Sequence, residues 1–212
     1  MFTTVGRDQL LDQMDGLFAG LATAVAGLRA GSVTEASYTG YNAGARPGIT
    51  FGDQADTSPA GARQVANSAA VAFPQNTGSN QDVIALTIHT ATSGGSIRRI
   101  QYLSPIAPFV ATAEASAENF AARSHGMSAN QRVRLIAAAG AVLPAGVSED
   151  TDYYVMSTGL STDAFRLSTA PSDSGPVNIT AFGACQVMPI TPVTIAGGAT
   201  PEFAIGAIVA RL

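Results

Sequence analysis

The chain contains no lysine and no tryptophan, so all 11 of its basic residues are arginine. Charged residues make up only 12% of the sequence, the net charge is −4 and the isoelectric point is near 5.0. A non-specific nucleic-acid binder needs a basic face to neutralise phosphates, and this balance argues against one. A single cysteine, Cys185, excludes an internal disulfide framework and a cysteine zinc site. Long apolar runs are also missing. The longest reaches only from Leu17 to Leu28, well short of the ~20 residues a spanning helix requires. Asp8, Asp12 and Asp15 precede it where a secretory signal would carry positive charge, so neither a membrane span nor a signal peptide is expected. Low charge has a further meaning. A freely diffusing protein needs surface charge to stay soluble, whereas one packed against neighbours needs less.

What the chain does have is 46% apolar residues, 22 glycines and 11 prolines. It is too apolar for a disordered tail and too rich in Gly and Pro for a helical bundle. The length of 212 residues suits two modest domains. One phrase occurs twice: Pro105-Ile106-Ala107-Pro108 is echoed by Pro189-Ile190-Thr191-Pro192, each followed by an apolar, β-type run. This predicts one β domain interrupted by a second module. The expected organisation is an N-terminal helix over 1–20, a discontinuous β-sandwich from 21–106 and 189–212, and an inserted β domain over 107–188.

The helix expectation rests on residues 5–18, where Leu10, Leu11, Met14, Leu17 and Phe18 would form one apolar face. Those five residues are the candidate assembly interface, because an apolar face of that size must be covered. Beyond them the pattern is strand and turn. Asp82–Thr90 alternates over its whole length and is the strongest strand, and Ser93-Gly94-Gly95-Ser96 predicts a tight hairpin into Ile97–Leu103. Within the insert, Phe120–Ser124, Arg132–Ile136, Tyr153–Met156, Ala164–Ser168 and Val177–Thr180 read as short strands. The fold class is therefore mainly β, an antiparallel β-sandwich with an N-terminal helix and an inserted small all-β domain.

Several phrases in order resemble small β-sandwich virion proteins of tailed bacteriophages, a family labelled tail-fibre or head-fibre. They are Tyr38-Thr39-Gly40-Tyr41, Ile49-Thr50-Phe51, Ala66-Asn67-Ser68, Val71-Ala72-Phe73-Pro74, Ile88-His89-Thr90-Ala91 and Ser93-Gly94-Gly95, with a closing part at Ile195–Gly198 and Phe203–Ala207. The insert is similar to a different, reused phage module through Ser124-His125-Gly126-Met127, Gln131–Leu135, Leu143–Ser148, Thr151–Val155 and Phe165–Ser168. These resemblances imply a virion structural protein on the particle exterior, made in the host cytoplasm. Capsid decoration or head-fibre anchoring is the first expectation. A tail or tail-fibre component with a receptor- or glycan-binding role is the alternative. Implied partners are major capsid or tail proteins and further copies of the chain, with no nucleic acid and no membrane.

No reaction chemistry is expected from the remaining motifs. His125 before Gly126 reads as a turn residue, and His89 as a packed strand residue. Cys185 lacks a nucleophile elbow or oxyanion loop. Glu149, Asp150 and Asp152 offer only part of the six to eight oxygens a calcium site takes and read as a solvated turn. Ser93–Ser96 lacks the lysine and helix of a phosphate loop. Tyr38, Tyr41, Tyr153 and Tyr154 are the aromatics available to stack on a sugar. No cofactor, metal or enzymatic activity is expected.

Overall fold

The computed structural model describes residues 16–26, 32–52, 64–115, 118–149 and 151–211. Its first strands are β1 (Leu17–Ala26), β2 (Ser32–Glu35), β3 (Gly48–Ile49), β4 (Gln64–Ala66), β5 (Val71–Ala72), β6 (Gln81–Val83), β7 (Ala85–His89) and β8 (Ile97–Tyr102). Seven follow in β9 (Phe109–Glu114), β10 (Asn119–Ala121), β11 (Arg132–Ala137), β12 (Tyr153–Val155), β13 (Ala164–Phe165), β14 (Leu167–Ser168) and β15 (Gly183–Ile190). The chain finishes with β16 (Val193–Ile195), β17 (Glu202–Phe203) and β18 (Val209–Arg211). It divides into two compact units. Unit 1 takes residues 1–24, 34–101 and 194–212, and unit 2 takes 25–33 and 102–193.

Among the described residues every regular element is a strand, which corrects the expected N-terminal helix. Leu17 and Phe18, assigned to its apolar face, belong to β1, where Leu17 pairs with Ile49 and Phe18 with His89. Leu10, Leu11 and Met14 lie outside the described residues. The reason for the misreading is physical. Leu17 and Phe18 continue the helical spacing of Leu10, Leu11 and Met14 in the sequence, whereas from Leu21 on the run alternates small and larger apolar residues as a strand does. Gly16, at φ +70, turns the chain just before it. A ladder of partners from Phe18↔His89 to Ala22↔Ala85 then outweighs any local helical preference.

In unit 1 the main sheet runs β2-β1-β7-β8, with β3 added to β1. Gly20 sits where a Cβ would come within 2.6 Å of Thr87 Oγ1, so only glycine allows this close approach of β1 to β7. The segment read as one strand over 82–90 is two. β6 pairs with β16 and β7 with β1 and β8, with Ile84 at the change of sheet. Residues 83–89 are all buried.

Two buried asparagines tie the closing segment into this unit. Asn67 donates from Nδ2 to the Ala69 and Ala204 carbonyls and accepts the Ile208 N–H at 2.8 Å. Asn76 does the same work with the Ser79 and Ile195 carbonyls. Their side chains satisfy backbone groups that the short ribbons β4–β18, β5–β17 and β6–β16 leave unpaired.

Unit 2 is built on a sheet ordered β13-β10-β9-β15-β11-β12-β14. Its two end strands are separated in sequence by Arg166 alone, so one stretch, 164–168, pairs with β10 on one side and β12 on the other. The sheet therefore closes on itself as a small barrel. Closure removes the free edges a short-stranded module would otherwise expose. Its interior holds Phe120, Val133, Leu135, Val155, Phe165, Leu167 and Val187, each fully buried. Phe165 stacks on Phe120 at 5.3 Å and meets Phe109 and His125 edge-on. β15 supplies the barrel's central strand, between β9 and β11.

Candidate functional site

An open groove of about 680 Å³ lies on unit 2, lined by both Pro-Ile-x-Pro phrases, the 126–132 turn and Tyr154. The two phrases meet because the Thr191 N–H donates to the Leu103 carbonyl at 2.9 Å. The Ile106 N–H donates to Ser104 Oγ at 3.1 Å. The turn opposite is held from several directions. Asn130, at φ +63, donates its N–H to the Val155 carbonyl at 2.7 Å, and its Oδ1 accepts the Ser172 N–H at 2.8 Å. Gln131 Oε1 accepts the Ser128 N–H at 3.3 Å.

Charge at the groove comes from β11. Arg132 contacts Asp152 Oδ2 at 3.4 Å, while Arg134 takes Asp152 Oδ1 at 2.5 Å and also donates to the Val25 carbonyl at 2.6 Å. Two guanidiniums thus share one carboxylate, and the stronger bond belongs to buried Arg134. Arg132, about one quarter exposed, lines the groove and is bonded through Nη1 alone among the described residues.

The other sequence candidates are placed elsewhere. His125 is buried against Phe109 and Phe165, and its Nδ1 accepts the Met127 N–H at 3.1 Å, a core role. Cys185 is fully buried inside the barrel, and burial pushes its thiol up to about 12, far from a usable thiolate. Glu149 accepts the Ala137 N–H and Asp152 binds the two arginines, whereas Asp150 lies outside the described residues. Among the described residues no group of acids, histidines or cysteines is arranged to hold a metal ion. No helix there is long and apolar enough to cross a membrane.

Three of the four candidate stacking tyrosines are committed to packing. Tyr38 donates to the Pro74 carbonyl, and Tyr153 accepts the Ser148 N–H. Tyr41 donates to Glu35 Oε2 at 2.9 Å and accepts the Leu21 N–H; burial raises its pKa. Tyr154, the fourth, lines the open groove. The groove itself was not legible beforehand, because the doubled phrase pointed to a domain junction and not to two walls of one cleft.

Unit 1 carries a buried polar cluster that the sequence did not disclose. Glu35 and Arg46 form an ion pair whose side chains are 16% and 5% exposed. Arg46 also donates from Nη1 to the Ala91 and Gly94 carbonyls, fixing the β7–β8 turn. His89 is buried close by, with Nε2 2.8 Å from Thr87 Oγ1 and Nδ1 without a partner among the described residues. Burial lowers its pKa below the ordinary 6.5, and the positive charge of Arg46 adds to the effect against the opposing Glu35. The unfolded chain therefore binds a proton more readily than the folded one, so stability present above pH ~6.5 is lost as pH falls below it. Thermal melts between pH 7 and 5 should show unit 1 losing stability, and His89→Gln should flatten that slope. An unchanged slope in the variant would remove His89 as the cause.

Comparison with known families places the chain among phage fibre proteins. Residues 4–112, just over half of the chain, match the family described as Podophage GP4 fiber I protein gp80, and the chain belongs to that family. It is a virion-associated structural protein of a bacteriophage. No curated protein and no solved structure matches it.

Proposed function

We propose that this chain is a non-catalytic fibre component on the outside of a tailed-phage particle, acting through contacts with copies of itself and with neighbouring virion proteins. The observation that carries this reading is the fibre family match over residues 4–112, which takes in most of unit 1. The family description names a fibre protein, and this reading takes the fibre placement from it in preference to capsid decoration. The surface agrees with a life in an assembly. Val142, Phe182 and Ile205 are 79%, 70% and 69% exposed, and β8 ends its sheet with no partner strand among the described residues. An edge of that kind normally carries lysine or another blocking charge when it must stay unpaired. Arg98 and Arg99 are such charges, so the exposed apolar side chains, and not this edge, are the surface on which the reading rests.

Unit 2 is, in this reading, a module inserted into the fibre protein. The family match stops at residue 112, inside β9, and the 102–193 part of the unit begins and ends beside the Thr191–Leu103 hydrogen bond, with 25–33 joining it from earlier in the chain. Purified chain is expected to self-associate through interfaces above the ~1,000 Å² of a specific contact. Analytical ultracentrifugation and mass spectrometry of intact particles test this together. A monomer at high concentration that is also absent from particles would overturn the reading.

A further inference from the structure

We propose that the unit 2 groove binds an anionic saccharide, with Arg132 meeting its acidic group, the Asn130 and Gln131 amino groups meeting its oxygens and Tyr154 packing on a sugar face. The volume of about 680 Å³ falls within the ~300–1,000 Å³ of small-ligand clefts. Its polar lining is biased toward donors. Both carboxamide oxygens are occupied by backbone N–H groups, from Ser172 to Asn130 and from Ser128 to Gln131. That fixes the orientation of each amide and leaves its amino group without a partner among the described residues. Arg132 is a donor as well, held by Asp152 only at 3.4 Å. A ligand that satisfies such a wall must be rich in acceptors and carry negative charge.

An extended polypeptide fits this place less well. Peptides that add to sheets need an open strand edge. Here β11 is paired on both sides, with β15 and β12, and β12 with β11 and β14. Side-chain donors beside an aromatic ring and proline walls suit a sugar, whose faces are apolar and whose rim is oxygen.

This inference deepens the fibre reading by naming a ligand, but binding is a property of the chain in isolation. Particle incorporation and sugar binding can therefore fail independently. The test is ligand-observed NMR with the full chain and oligogalacturonate, maltotetraose, glucose 6-phosphate and oligoglutamate. Binding is expected for oligogalacturonate, with the phosphosugar showing whether phosphate can replace carboxylate. Arg132→Gln should weaken it about 10-fold, the size of one charge-assisted hydrogen bond, and Tyr154→Ala should weaken it independently. Melting curves of both variants confirm that the barrel is intact. No binding, equal binding of maltotetraose, stronger binding of oligoglutamate, or full binding by two folded variants would each overturn the proposal.

Discussion

Replacing Phe165 by alanine is expected to destabilise unit 2 by about 3–5 kcal/mol, the cost of deleting a large buried ring from a core that cannot fully collapse. Phe165 is fully buried, stacks on Phe120 and lies on the stretch that closes the barrel. A cavity there loosens the interior and also the seam between β10 and β12. If unit 2 is an inserted module, the damage stays within it. Hydrogen exchange should then show early opening of β9 to β15 while β1 and β7 keep their protection. A single cooperative transition in which both units lose protection together would argue against an independent module. A loss below about 1 kcal/mol would show that the seam repacks around the smaller side chain.

Arg46→Met is expected to cost unit 1 about 3 kcal/mol, at the low end of the range for breaking a buried ion pair. The methionine keeps most of the apolar stem but leaves Glu35 charged, largely buried and supported, among the described residues, by the Tyr41 hydroxyl alone. It also strips donors from the Ala91 and Gly94 carbonyls, so the β7–β8 turn should become more mobile. Denaturant unfolding measures the loss. The double variant Arg46→Met with Glu35→Gln should recover part of it, because the stranded charge is then gone. A double variant no more stable than the single one would mean that the carbonyl contacts, and not the ion pair, hold this region.

Some parts of the architecture were legible in the residues themselves. Gly94 and Gly95 both adopt positive φ in the β7–β8 hairpin, as the Ser-Gly-Gly-Ser turn requires. β11 and β12 lie where alternation placed strands, at Arg132–Ala137 and Tyr153–Val155. Other parts were hidden for definite reasons. β15 is the central strand of the barrel, yet its inward positions are Gly183, Cys185, Val187 and Pro189, mostly small or strand-averse residues. Val177–Thr180, read as a strand, instead makes isolated hydrogen bonds from Val177 to Leu167 and from Thr180 to Ala145. Its alternation was real, but among the described residues it touches β14 at Leu167 alone and joins no ladder.

The groove and the polar cluster of unit 1 show the same division. Arg132, Tyr154, Glu35 and Arg46 are visible in the sequence, but nothing in their spacing announces that they meet. Composition, turn chemistry and period-2 patterning act locally, and they determined an antiparallel, mainly β protein with few charges. Barrel closure, the strand character of Leu17 and Phe18 and the Glu35–Arg46 pair were decided only by the tertiary structure. Each depends on partners far away in the chain, and pairing over such distances can override what any local stretch of residues prefers.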